Sequence, residues 1–215
     1  MELDTLNITL TFIHTQTIKF MKKIIFLSVF TAAVFIGQAQ VKFGIKAGVN
    51  FSTLSGDDAK IENLSPKFRT GIAGGGLVNI GLNDMFSLQP ELLYSMEGST
   101  YKQPGDKKAT YKTDYINIPV LIQYNNPSGF YAETGPQIGF LTSAKIGYNG
   151  NSVDIKDAFK TINFSWGLGA GYKLSNGLGI GARYNLGITK IADSGANIKV
   201  GGFHVGLSYI FGSDK

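Results

Sequence analysis

The stretch Ile162 to Leu174 alternates without a break. Ile162, Phe164, Trp166, Leu168, Ala170, Tyr172 and Leu174 occupy one parity, and Asn163, Ser165, Gly167, Gly169, Gly171 and Lys173 the other. A period of two belongs to a strand whose two faces meet different surroundings. The pattern recurs in seven more segments: Val41–Phe51, Gly71–Leu82, Phe86–Gly98, Thr113–Tyr124, Phe130–Ser143, Leu178–Ile188 and Ile198–Phe211. One face of each is mostly large and apolar, while the other collects Gly, Ser, Asn, Gln, Glu, Lys and Arg. A polar face dense in glycine makes a poor hydrophobic core, which speaks against a soluble barrel with an oily ligand cavity. The apolar face calls for lipid or a second sheet to cover it. Pro90, Pro119 and Pro136 interrupt three of the segments, and local bulges are the expected remedy for their missing N–H groups.

The connections choose between lipid and a second sheet. Three are brief and rich in turn residues: Asn83-Asp84, Asn125-Asn126-Pro127-Ser128-Gly129 and Ser175-Asn176-Gly177. Four are longer, polar and charged: Ser52–Thr70, Gly98–Lys112, Ala144–Lys160 and Thr189–Asn197. Strands of ~10 residues in even number, with short turns at one end and long loops at the other, predict a transmembrane β-barrel. The expected fold is therefore all-β: an eight-stranded antiparallel up-and-down barrel. Phe86, Tyr124, Phe130, Tyr172, Tyr209 and Phe211 gather beside the short turns, as an aromatic girdle at a membrane boundary would.

The N-terminal residues predict export. Lys22 and Lys23 precede an apolar run from Ile24 to Ile36, and Gly37-Gln38-Ala39 supplies small residues for cleavage before Gln40. That is the layout of a signal peptide over 21–39, and the run is short for a membrane-spanning helix. Residues 1–20 then read as an upstream start chosen too early, leaving 40–215 as the barrel domain. The expected location is the outer membrane, with both mature termini on the periplasmic side. The chain has no cysteine, so neither a disulfide framework nor a thiolate site is available. A net charge of +5 without a basic block gives no reason to expect nucleic acid.

Chemistry-bearing motifs are sparse. Gly74-Gly75-Gly76 and Gly167-Leu168-Gly169-Ala170-Gly171 neither open a helix nor precede a Lys-Ser/Thr pair, so they read as space in a narrow barrel rather than phosphate loops. His204 is the lone histidine of the mature chain, and no Ser/His/Asp arrangement is visible. No cofactor, metal or catalytic site is expected. Asp57-Asp58, Lys107-Lys108, Asp154 and Asp157 read as solvated loop charge. Lys46, Glu91 and Arg183 fall at similar heights on their strands, with Glu133 slightly lower, and confined charges need partners. A lumen charge network that fills and fixes the barrel is the expectation, and an ion path the lesser alternative. A serine at Gly169, on the lumen face, is expected to be mild.

Three stretches carry a family resemblance: Leu88-Gln89-Pro90-Glu91-Leu92-Leu93-Tyr94, Tyr115-Ile116-Asn117-Ile118-Pro119, and Tyr131-Ala132-Glu133-Thr134-Gly135-Pro136 followed by Gly139. In this order and spacing the chain resembles the PorT-like outer-membrane β-barrel proteins of the Bacteroidetes across Val41 to Phe211. The resemblance implies an eight-stranded barrel and no particular activity. His204-Val205-Gly206-Leu207-Ser208-Tyr209-Ile210-Phe211 also resembles the C-terminal signal read by the barrel assembly machinery, with His204, Gly206, Tyr209 and Phe211 at its key places and four residues beyond the usual end. The expected partners are membrane lipid and that machinery, for a monomer whose structural or interaction role lies in its extracellular loops. A pore or secretion component is the alternative, and an outer-membrane enzyme a third.

Overall fold

In a computed structural model, described for residues 40–60, 64–102, 108–148 and 151–212, the chain forms nine strands. These are β1 (Val41–Ser55), β2 (Lys67–Gly81), β3 (Phe86–Lys102), β4 (Lys108–Asn125), β5 (Phe130–Tyr148), β6 (Asn151–Asp154), β7 (Ile162–Lys173), β8 (Leu178–Gly187) and β9 (Lys199–Ile210). Every pairing is antiparallel. The order β1-β2-β3-β4-β5-β7-β8-β9 closes on itself through β1 and β9, while β6 pairs only with the far end of β5. The ring is thus the expected eight-stranded barrel. The predicted signal peptide and upstream extension lie outside the described residues.

The parity of the sequence becomes the inside and outside of the ring. Along β7, Asn163 and Ser165 are buried, whereas Ile162, Phe164, Trp166 and Leu168 are exposed. The exposed apolar residues continue around the ring as Phe43, Ile45, Ile72, Leu92, Ile122, Ile180, Leu186 and Leu207. A closed ring with an apolar outer band is the form in which strands cross a membrane, since its backbone pairs within the ring and leaves no free edge. Aromatic residues border the band on both sides. Phe86 packs on Tyr124 at 5.6 Å and Tyr209 on Phe211 at 5.4 Å beside the short turns. A second group, Phe68, Phe203 and Tyr184, lies toward the loops, with Tyr184 and Phe203 4.8 Å apart.

Two expectations are corrected. The prolines need no bulge: the β3–β4 register is the same at Pro90↔Val120 and Leu93↔Asn117, and that of β4–β5 at Pro119↔Gln137 and Ile122↔Thr134. Pro136 faces Trp166 in an unbroken β5–β7 register. The ladder skips a bond at each proline and resumes in phase. The register shifts fall elsewhere, between Phe68 and Ala73 and between Asp114 and Tyr115.

The second correction concerns Gly98–Lys112 and Ala144–Lys160, which are largely strand. β3 and β4 run on to Lys102 and from Lys108, and β5 continues to Tyr148 before β6 folds back. Beyond the lipid band the outward positions of β4 are Asp114, Lys112, Thr110 and Lys108, so the strand persists while its apolar period disappears.

The loops also bring apolar residues together, which the sequence reading did not anticipate. Leu54, Ala59, Tyr101, Ala109, Tyr115, Leu141, Ala144, Ile191 and Val200 form one buried cluster, with Leu64, Tyr111, Ile155, Phe159 and Ile198 packed against it. Tyr101 donates its hydroxyl to the Ala59 carbonyl at 2.5 Å, and burial, then the neighbouring Tyr111, pushes this phenol above its ordinary pKa. Because the contributors come from several strand ends and three loops, the cluster forms a cap over the loop end of the ring. Ile191→Val is expected to cost about 0.5–1.5 kcal/mol, the usual cost of one buried methylene. The measurement is the urea midpoint of the inserted barrel; an unchanged midpoint would mean that the cap does not contribute to stability.

Candidate functional site

The interior is the candidate site, and its residues arrive there through the inward parity of each strand. β1 contributes Lys46, β3 Gln89 and Glu91, β4 Gln123, β5 Tyr131 and Glu133, and β8 Arg183. The structure brings together Lys46, Glu91, Glu133 and Arg183. The Arg183 guanidinium donates from Nη1 and Nη2 to the two Glu91 oxygens at 2.9 and 2.8 Å, and from Nε to Glu133 Oε1 at 2.7 Å. Lys46 Nζ donates to Glu91 Oε1 at 3.3 Å. Two cations thus face two carboxylates, all four side chains being buried. A planar guanidinium with five donors suits this forked geometry, where a lysine would supply only a point charge.

Neutral amides complete the carboxylates. Gln89 Nε2 donates to Glu91 Oε1 and Gln123 Nε2 to Glu133 Oε2, each at 2.8 Å. Toward the turns, Lys173 Nζ donates to Gln123 Oε1 at 2.6 Å and to Asn125 Oδ1 at 3.0 Å, and Asn79 Nδ2 donates to Gln89 Oε1 at 3.1 Å. Lys173 also lies 4.9 Å over the Tyr131 ring. The wet parity of their strands is the one signal the sequence gives for these amides, and their partners depend on the stagger of the ring.

Glycine shapes this interior by what it leaves out. A Cβ on Gly169 would meet the Ala182 carbonyl oxygen at 2.8 Å and Glu133 Oε1 at 2.9 Å. The expectation that a serine there would be mild is therefore corrected, since the side chain would displace a carboxylate held by Arg183. Opposed Gly171 and Gly181 form a slot for Tyr131, whose hydroxyl would lie 2.5 and 2.2 Å from added Cβ atoms.

Between the ion pairs and the cap the lining is mostly amide and hydroxyl, with His204, Glu97 and Arg69 among it. His204 Nδ1 and Asn50 Oδ1 are 2.9 Å apart. Asn117 Nδ2 donates to Glu97 Oε1 at 2.7 Å, and Arg69 donates to the Glu97 carbonyl. Asn163 Oδ1, Ser165 Oγ and Asn185 Oδ1 are buried without a protein hydrogen-bond partner beside a polar cavity of about 10 Å³, measured as space for a water's centre. That is room for about one water. Among the described residues no group of three or more His, Cys, Asp or Glu is placed to hold a metal.

The residues resembling an assembly signal lie on two faces of β9 and its end. His204 points inward, and Gly206 faces Gly48 and Gly181 across the neighbouring strands. Tyr209 and Phe211 are exposed beside the short turns.

Comparison with known proteins agrees with this architecture. Neisserial surface protein A superposes with a TM-score of 0.53 at 16% identity, covering 79% of this chain and 98% of that one. Ail of Yersinia pestis matches at 0.45 and 17%, covering 80% and 99%. OprG of Pseudomonas aeruginosa matches at 0.40 and 16%, covering 80% and 97%. No curated protein is significantly similar in sequence. Residues 37–193 match the model of the outer membrane protein beta-barrel domain, so the chain belongs to the outer-membrane β-barrel domain family.

Proposed function

We propose that this protein is a monomeric outer-membrane barrel with a closed interior, acting as a structural or interaction protein through its loop end. The observation that carries the reading is the double obstruction of the lumen. Lys46, Glu91, Glu133 and Arg183 cross-link the strands midway. The apolar cap formed around Tyr101, Tyr115 and Ile191 closes the loop end. Eight strands leave an interior that side chains fill, and here the largest ones are held by paired charges rather than left mobile. In this reading the charge network fixes the shape of the barrel. The short turns and both mature termini face the periplasm, and the loops and β6 face outward.

The PorT-like kinship belongs to the same proposal. It rests on the motifs at Leu88–Tyr94, Tyr115–Pro119 and Tyr131–Pro136, whose Gln89, Glu91, Asn117 and Glu133 are buried lumen residues. Recognition by the assembly machinery rests on His204, Gly206, Tyr209 and Phe211 in the last strand and just beyond it.

The purified protein in a planar bilayer is expected to pass no steady ion current. Stable single-channel steps from the unmodified monomer would reject the closed interior and favour a transport role.

A further inference from the structure

Glu97 is an inward carboxylate that the Lys46–Glu91–Glu133–Arg183 quartet does not balance, since the quartet is neutral within itself. It lines the water-sized cavity between the ion pairs and the cap, together with Gln137, Asn163, Ser165 and Asn185. Among the described residues Asn117 Nδ2, at 2.7 Å, is the one group that hydrogen-bonds its carboxylate, and no ion pair reaches it. Arg69 is the cation of this level. It donates to the Glu97 main-chain carbonyl and lies 3.9 Å from Asp114, so one guanidinium is shared between the charges of Glu97 and Asp114. Two carboxylates against one guanidinium leave one negative charge.

The neutral groups around Glu97 offer oxygen. Asn163 Oδ1, Ser165 Oγ and Asn185 Oδ1 are buried without a protein hydrogen-bond partner, and Asn163 and Ser165 are each only 4% exposed. Asn117 Oδ1 is buried in the same way, and the contact of its Nδ2 with Glu97 sets its orientation. Glycines keep space beside these atoms. Gly139 pairs with Asn117 on one side and Asn163 on the other, and a Cβ there would lie 2.6 Å from Asn117 Oδ1 and 3.4 Å from Asn163 Oδ1. A Cβ on Gly167, opposite Asn185, would lie 3.3 Å from Asn185 Oδ1.

A water molecule can donate to two such acceptors and leaves the charge in place. A proton on Glu97 removes the charge but supplies a single donor. A cation meets both needs, because amide and hydroxyl oxygens stand in for its hydration shell while the carboxylate balances its charge. One net negative charge among neutral oxygens suits a monovalent ion better than calcium, whose sites commonly gather several carboxylates. We infer that Glu97, with Asn163, Ser165 and Asn185, binds a monovalent alkali cation, sodium or potassium, inside the barrel. The ion is held rather than passed, since the quartet lies on one side of it and the apolar cap on the other.

The full chain refolded into phosphatidylcholine vesicles tests this. Its urea midpoint is followed by the fluorescence of Trp166, the single tryptophan, in sodium, potassium and choline chloride at one ionic strength. The unmodified protein is expected to be more stable in sodium or potassium than in choline. Its folded-to-unfolded ratio should rise towards tenfold for each tenfold rise in the ion once the site is mostly filled, and the ion giving the larger rise is the one the site prefers. Glu97→Gln can still accept from Asn117 but lacks the charge, and should abolish this dependence. Asn163→Ala removes one oxygen and should weaken it several-fold, while Asp157→Asn, on an exposed loop, should leave it intact. Equal midpoints in the three salts would overturn the inference and assign the cavity to water. A dependence that survives both Glu97→Gln and Asn163→Ala would place the ion elsewhere and overturn it too. So would stabilisation by calcium chloride with none by sodium or potassium. If Glu97→Gln does not fold, Asn163→Ala decides the location, and the salt comparison on the unmodified chain decides whether an ion binds at all.

Discussion

Arg183→Met is expected to be the most damaging substitution in the barrel, lowering its folding stability in lipid by about 3–5 kcal/mol. The arginine is 2% exposed and contacts three carboxylate oxygens. Its removal leaves Glu91 with Lys46, at 3.3 Å, as its one cation and Glu133 with no cation in contact. An uncompensated buried charge is costly, whereas a network neutralised as a whole is not. Lys46→Met, Glu91→Gln, Glu133→Gln and Arg183→Met combined should therefore recover most of the loss. Heat-dependent gel mobility across a urea series measures both variants. A single variant as stable as the unmodified protein would show that the guanidinium does not hold the interior.

Leu168→Arg should cost about 2–4 kcal/mol, with Leu168→Ala much milder. Leu168 is the middle one of the seven apolar residues from Ile162 to Leu174 and is 65% exposed, more than any of the other large ones. The exposure means that truncating it opens no cavity in the protein, while a charge there meets the middle of the lipid. Folding yields in vesicles compare the two. Similar losses for arginine and alanine would mean that this face packs on protein rather than lipid.

The strands were legible because lipid on one side and a wet lumen on the other impose the same period on every one, and β7 shows it without exception. The legibility stops where the lipid stops. Above Ile116 the outward residues are Asp114, Lys112, Thr110 and Lys108, so nothing apolar marks the strand, though its ladder continues. The cap was missed for a related reason. Tyr101, Ile155, Phe159, Ile191 and Ile198 are single apolar residues scattered among charges, and they form a surface only when distant loops converge. Height along the strands suggested that Lys46, Glu91, Glu133 and Arg183 would meet. Which atoms touch was not readable, because Arg183 and Glu91 are 92 positions apart and their meeting depends on the stagger of the closed ring. Gly169 shows the same limit: its sequence neighbours announce small size, and only the fold shows that the space belongs to Glu133.

The charge network also bears on the order of events in folding. Its members come from β1, β3, β5 and β8, so no single hairpin contains a balanced set. A partial sheet of β1 to β5 would carry Glu91 and Glu133 with Lys46 as their one cation from the quartet. Neutrality within the quartet arrives only with β8, shortly before β9 pairs with β1 and shuts the ring. Contacts so far apart along the chain make folding slow, and intermediates holding unpaired charge are poorly soluble in lipid. The same four side chains that occupy the finished lumen therefore act, during assembly, as a test of completeness: a sheet lacking its late strands is penalised by the bilayer, and a whole one is accepted.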